Sequence, residues 1–220
     1  TDVLNHKLIF FCPNILSKWR VQTIHNKEPE TLEWIDNFNQ KEKIVFWDIG
    51  ANIGLYSIYA ATKHKDIDII SFEPSSSNLR ILSRNISINN LEKKIKIFQI
   101  PLSDTSNHFS MMKESSFIEG GAMNAYAADF DFEGKKFVSK MNYSIFGTNI
   151  DSLLDQKILQ IPNYVKIDVD GIEHLILNGA KKHLINTKIQ GLLIEINENF
   201  DYQKKSVIRI MQENNFKLVW

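Results

Sequence analysis

The 220-residue sequence is 43% apolar, which suits one globular α/β domain with a real hydrophobic core. Its 26 Lys and Arg residues balance its 26 Asp and Glu residues, and this neutral total argues against a nucleic-acid-binding surface, which usually leaves a basic excess. A single cysteine, Cys12, excludes an internal disulfide and favours the reducing cytoplasm, and no stretch reaches the ~20 apolar residues that span a membrane.

The N-terminal region is predicted to be a segment of residues 1–42 whose helix packs on the main domain. That helix begins at Pro29, a residue that suits the first helical turn, and its apolar residues recur at helical spacing. The main domain is predicted to occupy residues 43–220. A first residue that is threonine and not methionine also fits a domain with flanking domains in a longer protein.

Three strands and two helices alternate over the next part of the chain. Apolar runs predict buried strands at 43–47, 67–72 and 95–100. One helix is predicted to follow the glycine-bearing turn at 50–54, and another to begin near Ser75, which can cap it. This alternation within ~60 residues predicts a parallel sheet with right-handed crossovers, and hence an α/β domain.

Residues 103–160 are less regular and are predicted to form a β-rich insertion. Candidate strands lie at 109–112 and 136–146, with a turn at Gly120-Gly121 between them. Loops on a rigid scaffold commonly carry recognition, so this insertion is the expected specificity region.

The C-terminal part returns to alternating strands and helices. Strands are predicted at 164–168, 192–196 and 216–220, and the helices between them carry apolar stripes that include Ile176 and Val207. Together with the three earlier strands, this pattern predicts six strands in the main sheet.

The strongest chemical signal is the segment 46–57, whose sequence FWDIGANIGLYS lies at a strand-to-helix turn. Glycines there let the backbone turn tightly and let a ligand approach without a Cβ in the way. Ligands of open α/β sheets bind beyond the carboxyl ends of the strands. Glu73 follows the next strand, where a carboxylate can accept both hydroxyl hydrogens of an adenosine ribose.

The glycine spacing distinguishes two nucleotide cofactors. A dinucleotide motif reads G-x-G-x-x-G and faces a pyrophosphate, whereas the pattern here is D-x-G-x-x-x-G with Asp48 in front. An acid suits a ligand that carries an ammonium group and a sulfonium, and it would sit badly beside a pyrophosphate. The pattern therefore favours S-adenosylmethionine, and a nicotinamide oxidoreductase is the less favoured alternative.

The same segment resembles the first methyltransferase motif in the form found in the FkbM family. Further blocks match that family in order: EPET at 28–31, FEP at 72–74, LSD at 102–104, NIDSLL at 149–154, VKIDVDGIE at 165–173 and IE at 194–195. The resemblance implies a Rossmann-like class I methyltransferase fold, in which a mostly parallel twisted sheet carries helices on both faces. The sheet of that fold has seven strands, one more than the six predicted here.

The resemblance also implies which residues contact the cofactor. Those of the first motif and of the following strand are Asp48, Gly50, Ala51, Asn52, Gly54 and Glu73. Ser103 and Asp104 follow the third strand, where this fold commonly meets the adenine.

The reaction that the resemblance implies is methyl transfer to a hydroxyl oxygen. A sugar hydroxyl is a poor nucleophile at neutral pH, so a base or a metal ion is expected to assist. Asp168 is the leading catalytic candidate, although it could simply cap the helix that follows. Asp168, Glu195 and Asn197 could converge as oxygen ligands of Mg²⁺. Without a metal, Asp168 or Glu195 would be the base.

Lys166 is the third catalytic candidate, because it points to the same face of its strand as Asp168. It is expected to pair with Glu195 or to contact the substrate, and a purely structural ion pair is slightly favoured. His174 and Glu28 are weaker candidates. Glu28 either folds back over the cofactor or simply favours the start of a helix.

The expected acceptor is a sugar of a surface glycan or another hydroxylated metabolite, and this class comes from the resemblance alone. A non-catalytic module that binds a glycan or a partner enzyme is the alternative from another class of protein. The intact candidate cofactor residues argue against it, because such a module need not keep a cofactor cleft.

Overall fold

The structure, a computed structural model, describes residues 1–219, and Trp220 lies outside the described residues. Its strands are β1 (Asp2–Val3), β2 (His6–Lys7), β3 (Ile44–Ile49), β4 (Ile67–Phe72), β5 (Ile95–Phe98), β6 (His108–Glu114), β7 (Ala125–Tyr126), β8 (Met141–Gly147), β9 (Tyr164–Ile167) and β10 (Gly191–Ile194). Its helices are α1 (Ile15–Gln22), α2 (Pro29–Asp36), α3 (Leu55–Lys63), α4 (Ser76–Ile88), α5 (Ile150–Asp155), α6 (Glu173–Asn178) and α7 (Asp201–Glu213). Within this range, no helix is both long and apolar enough to cross a membrane.

Within residues 1–219, five parallel strands form the central sheet, in the order β10-β9-β3-β4-β5. Each overlaps a strand that an apolar run predicts. The runs are nearly continuous because helices cover the sheet on both sides, so side chains of either orientation are buried. The mostly parallel α/β sheet predicted from the sequence is confirmed.

Helices cover both faces of this sheet, as predicted. Alternate residues of β3 point to opposite faces, so Phe46 lies in the core beneath α2, α3 and α4, while Trp47 lies in the core beneath α5, α6 and α7. On the first face, α2 buries Leu32 and Ile35 against the strands. On the second face, Ile176 of α6 is buried in the same way. These helices leave the carboxyl ends of the strands uncovered.

The prediction of a strand at 216–220 is wrong for residues 216–219, and Trp220 lies outside the described residues. Residues 216–219 pair with no strand of the described chain, and Leu218 and Val219 are exposed. The N–H of Phe216 instead donates to the carbonyl of Met211, so the chain closes the end of α7 at this point. The central sheet therefore has five strands in the described part of the chain, and not the six predicted.

Helices α1 and α5 lie where the sequence predicts no helix. Each begins after an asparagine whose side chain accepts a hydrogen bond from a backbone N–H, Asn14 from Ser17 and Asn149 from Ser152. The helices span only eight and six residues. Such short segments contain too few apolar repeats to reveal a helical period.

A smaller antiparallel sheet, in the order β7-β6-β8, forms from residues 108–147. β6 and β8 fall on the two strands predicted in this region, although β8 begins at Met141, later than predicted. The connection from β6 to β7, residues 115–124, lies over the carboxyl ends of the central strands. We call this connection the roof loop.

Candidate active site

The turn between β3 and α3 depends on two glycines with left-handed backbone angles. Gly50 has φ +84° and Gly54 has φ +87°. A Cβ on Gly50 would lie 1.9 Å from the carbonyl oxygen of Asp168, and one on Gly54 would lie 2.5 Å from Cδ1 of Leu82. The glycines therefore let the turn pack directly against the end of β9 and against α4.

Asp48 lies beneath this turn and is fully buried. Its Oδ2 accepts a hydrogen bond from the hydroxyl of Ser57 in α3 at 2.6 Å, and it lies opposite Lys166 in the register of β3 and β9. Burial raises the pKa of Asp48 above its ordinary value, and the positive charge of Lys166 opposes that rise. The carboxylate thus supports the turn from inside the core.

Glu73 joins the turn after β3 to the turn after β4. Its Oε2 accepts from the backbone N–H of Asn52 at 2.7 Å, and its Oε1 accepts from the backbone N–H of Ser75 at 2.8 Å. Burial raises the pKa of Glu73 to about 8, although both hydrogen bonds favour the ionised form. Each carboxylate oxygen keeps a further lone pair, so the group can still accept hydrogens from a ligand.

A cavity of about 580 Å³ lies across the carboxyl ends of β3, β4 and β9 and the segment that follows β5. We call it the first cavity. Its lining combines polar groups with apolar side chains and includes Gly50, Asn52, Glu73, Leu102, Met112 and Asp168. The Oδ1 atom of Asn52 is buried and has no hydrogen-bond partner among the described residues. The cavity therefore offers acceptors beside an apolar wall.

Ser103 and Asp104 do not line this cavity. Ser103 is buried, and its hydroxyl accepts a hydrogen bond from the backbone N–H of Thr105 at 3.2 Å. Asp104 is exposed to solvent. Leu102 and Pro101, just before them, line the cavity instead. The role of Ser103 and Asp104 as adenine neighbours stays a prediction.

The roof loop is held over the first cavity by two asparagine side chains. The carbonyl of Gly121 accepts from Nδ2 of Asn52 at 2.7 Å and from Nδ2 of Asn78 at 3.0 Å. The N–H of Gly120 donates to Oδ1 of the same Asn78 at 2.8 Å. Asn52 belongs to the glycine turn and Asn78 to α4, so the loop is fastened to two elements at one point.

The roof loop is also fastened on its other sides. The N–H of Met123 donates to Oδ2 of Asp170, in the turn after β9, at 2.6 Å. From α1, Nε of Arg20 donates to the carbonyl of Gly120 at 2.7 Å. Burial first, and the nearby charge of Asp168 second, raise the pKa of Asp170 to about 6.

A second cavity of about 720 Å³ opens towards α1 and α2 and adjoins the first. The two share five lining residues: Gly50, Asn52, Ala122, Asp168 and Asp170. Ala51 lines the second cavity only. Unlike the first, the second cavity is lined mainly by charged and hydroxyl-bearing side chains: Arg20, Lys27, Glu28, Tyr56, Lys166 and Glu195.

Lys166 and Asp168 form an ion pair in the wall of the second cavity. Nζ of Lys166 lies 2.6 Å from Oδ2 of Asp168, and it also lies 4.9 Å from the ring centroid of Tyr56. Burial alone would raise the pKa of Asp168, but the charge and hydrogen bond of Lys166 hold it below its ordinary value. Lys166 thus pairs with Asp168 and not with Glu195, the partner expected from the sequence.

Glu195 follows β10 and lines the second cavity beside Asp168. Its N–H donates to the carbonyl of Ile167 at 2.9 Å, which continues the pairing of β10 with β9. Burial of its carboxyl and the negative charge of Asp168 raise the pKa of Glu195 above its ordinary value. Of these two neighbouring carboxyl groups, Asp168 is therefore the one that ionises first.

Of the three expected Mg²⁺ ligands, Asn197 has its side-chain amide in other hydrogen bonds, and the metal site stays a prediction without support. Nδ2 of Asn197 donates to the carbonyl of Phe132 at 2.7 Å, and its Oδ1 accepts from the N–H of Asn199 at 2.9 Å. Lys166 already neutralises Asp168. Across residues 1–219, no group of three or more His, Cys, Asp or Glu side chains is placed to hold a metal ion. Asn197 instead ties the insertion to the segment after β10.

The weaker candidates have clear places in the structure. The hydroxyl of Tyr56 donates to Oε2 of Glu28 at 2.6 Å, so Glu28 does fold back towards the glycine turn. His174 is buried among aromatic rings, and burial lowers its pKa. It lines neither of the two cavities.

Asp170 and Asn78 are further functional candidates that contact the roof loop. Asp170 has a left-handed φ of +61° in the turn after β9. Its position in the VKIDVDGIE block, two residues after Asp168, is the sequence feature that could have identified it. Asn78 gives no such signal, because its loop contacts are more than 40 residues away along the chain.

One family model and two known proteins are similar to this chain over different shares of its length. The family model described as "Methyltransferase FkbM domain" matches residues 48–218. Hexuronic acid methyltransferase AglP of Haloferax volcanii is 23% identical over 212 residues, which cover 96% of this chain and 79% of that protein. Methyltransferase sdnD of Sordaria araneosa is 35% identical over 91 residues, which cover 41% of this chain and 35% of that protein. The match thus spans about a third of sdnD.

Among solved structures, precorrin-6y C5,15-methyltransferase from Geobacter metallireducens GS-15 has a TM-score of 0.48 with this chain. The two sequences are 14% identical, and the superposition covers 85% of this chain and 69% of that one.

Proposed function

This chain belongs to the FkbM family of methyltransferases, and from that premise we propose that it methylates a hydroxyl oxygen of a sugar in a glycan or of a related hydroxylated metabolite. The name of AglP states that this relative acts on a hexuronic acid, which supports a sugar acceptor here. A sequence with a single cysteine supports a reducing compartment, and we place the reaction in the cytoplasm.

The observation that carries the proposal is that Asp168 lines both cavities. A methyl donor in the first cavity and a hydroxylated acceptor in the second would meet at this residue. The second cavity is rich in charged and hydroxyl groups, which suits a ligand that needs many hydrogen bonds. The first cavity has an apolar wall, which suits the adenine ring.

The first cavity fits S-adenosylmethionine, the cofactor of this family. Glu73 keeps free lone pairs on both oxygens for the two ribose hydroxyls, and the unpartnered Oδ1 of Asn52 lies in the same cavity. Gly50 brings the backbone of the turn to the edge of the site. When bound, the cofactor supplies a methyl carbon already activated by its sulfonium, so the protein chiefly has to orient the acceptor oxygen.

We assign Asp168 as the group that orients the acceptor hydroxyl and accepts its proton. Lys166 holds one carboxylate oxygen at 2.6 Å, which fixes the side chain, and the carboxylate still lines both cavities, where an acceptor hydroxyl can reach it. Glu195 lies beside Asp168 and its pKa is raised to about 9, so near neutral pH its carboxyl group is protonated and can donate a hydrogen bond that favours the ionised form of Asp168. Lys166 supplies the positive charge for which Mg²⁺ was expected.

The test is product formation from defined acceptors. The purified chain is incubated with S-adenosylmethionine and a panel of neutral and acidic oligosaccharides, and the products are analysed by mass spectrometry after derivatisation of free hydroxyls. We expect a mass gain of one methylene group on a hydroxyl, with Asp168→Asn reducing the rate by about a hundredfold or more.

One control variant and two contrary outcomes serve to interpret this result. Asp66→Asn changes an exposed aspartate that precedes β4 and lines neither cavity, and it should keep the wild-type rate. Methylation of nitrogen or carbon would contradict the hydroxyl acceptor. An Asp168→Asn variant with the wild-type rate would contradict the role of Asp168.

A further inference from the structure

The charges that line the second cavity are not all paired with one another. Among its cations, Lys166 forms an ion pair with Asp168, and Lys27 forms one with Glu28. Arg20, on α1, is half-buried and forms no ion pair with any residue in the described range 1–219. Its one side-chain hydrogen bond in that range runs from Nε to the neutral carbonyl of Gly120. The guanidinium therefore keeps its full charge beside the cavity.

The remaining donors of Arg20 suit one chemical class of ligand. A guanidinium presents its N–H groups in a planar fork that matches a carboxylate, and a half-buried charge gains more from such a partner than an exposed one. Nε is occupied by the roof loop, but the terminal Nη groups are not engaged by the described residues. The acids of the cavity do not lie within ion-pair distance of Arg20, so its charge is left for a ligand.

We propose that Arg20 is a carboxylate-binding residue of the second cavity. The inference rests on the proposed function, and two parts of the reacting pair could supply the carboxylate. One is the amino-acid carboxylate of S-adenosylmethionine, which would extend along the glycine turn that both cavities share. The other is the carboxylate of an acidic sugar acceptor.

Arg20 has a second role that the test must separate from carboxylate binding. Its Nε bond to Gly120 also helps to hold the roof loop, which covers the first cavity. Losing that anchor would weaken every adenosine ligand equally. Losing a carboxylate contact would weaken only ligands that carry the carboxylate.

The experiment is calorimetric titration of two nucleosides into wild type, Arg20→Gln and Lys18→Gln. S-Adenosylhomocysteine carries the amino-acid carboxylate, and 5′-methylthioadenosine has the same adenosine and sulfur without it. Lys18 lies on the same helix, is exposed and lines neither cavity, so its variant controls for loss of a positive charge from α1. Glucuronate and glucose are then titrated into each protein saturated with S-adenosylhomocysteine.

Two results would support the inference. In the first, Arg20→Gln binds S-adenosylhomocysteine about ten- to a hundredfold more weakly while its affinity for 5′-methylthioadenosine is unchanged, which identifies the cofactor carboxylate. Alternatively, a similar loss is confined to glucuronate, which identifies the acceptor carboxylate. In both cases Lys18→Gln should behave as wild type.

Other results would overturn it. Equal weakening of both nucleosides would mean that Arg20 acts only through the roof loop, and unchanged affinity for all four ligands would mean that it binds no carboxylate. If the folded wild-type chain binds neither nucleoside, the proposed function fails and this inference fails with it. That outcome is recognised in the wild type alone, before any variant is compared.

Discussion

Lys166 and Asp168 point to the same face of β9 and form an ion pair of 2.6 Å, in which the lysine side chain is 3% exposed and the aspartate side chain is 29% exposed. The cation is thus almost fully buried in the wall of the second cavity, whereas the anion lines both cavities. Lys166 also lies opposite Asp48 in the sheet, so one buried cation balances the carboxylates of two neighbouring strands.

Removing the charge of Lys166 should destabilise the folded protein. Lys166→Met leaves two carboxylates without a buried counter-charge, and we expect the free energy of unfolding to fall by about 3 kcal/mol or more. Urea denaturation measures it. Lys182→Met, which breaks an exposed pair with Asp155, should change stability by less than about 1 kcal/mol. Equal stabilities of the two variants would contradict the central role of Lys166.

Stability should decline with rising pH because of Glu73. Its folded-state pKa of about 8 lies above the ordinary value of 4.5, so between these values the folded state binds more protons than the unfolded state. Its contribution is fully present below pH 4.5 and is lost as the pH rises towards 8. Denaturation at pH 6 and pH 8 should show wild type losing about 1 kcal/mol or more relative to Glu73→Gln. Parallel pH profiles of the two proteins would refute this assignment.

A side chain at Gly50, the first glycine of the turn, should lower the free energy of unfolding. Gly50→Ala requires a left-handed residue whose Cβ overlaps a backbone oxygen, and we expect a loss of about 2–4 kcal/mol. Gly191→Ala is the matched control, because its φ is not left-handed and its nearest neighbours would lie 3.4 Å or more from the new Cβ. It should unfold at nearly the wild-type urea concentration. A Gly50→Ala protein as stable as this control would show that the turn can move away from β9.

The roof loop should open more readily without Asn78. Asn78→Ala removes the side chain that bonds both Gly120 and Gly121, which leaves two backbone groups without that partner. Hydrogen exchange of peptides covering residues 115–124 should become about tenfold faster. Asn214→Ala, which removes a local bond to the carbonyl of Ile210 at the end of α7, should leave this exchange unchanged. Unchanged exchange in Asn78→Ala as well would mean that the loop is held by its other contacts.

Local features of the sequence predicted the sheet and part of the site. The apolar runs that end before Gly50 and Glu73 are continuous in the chain, and the burial of a parallel strand makes such runs necessary. The glycine turn follows from backbone geometry, which is also local. These features required no knowledge of distant contacts.

Contacts between distant segments could not be predicted in this way. The charges of Asp168, Asp48 and Glu28 all act on Lys166, and the sequence does not determine which of these acids lies at hydrogen-bond distance. Asn197 donates to Phe132, 65 residues earlier, a contact that depends on how the insertion packs. The roof loop is a similar case, because its anchors come from α1, α4 and two separate turns.

The carbonyl of Gly121 accepts amides from both Asn52 and Asn78, so the loop cannot lift from one without loosening its bond to the other. We therefore expect opening of the loop to require loss of both bonds, and release of a nucleoside from beneath the loop to require that opening. We expect the demethylated cofactor to dissociate slowly. Its departure should then limit the rate of turnover. Such an enzyme would be sensitive to inhibition by its own demethylated cofactor.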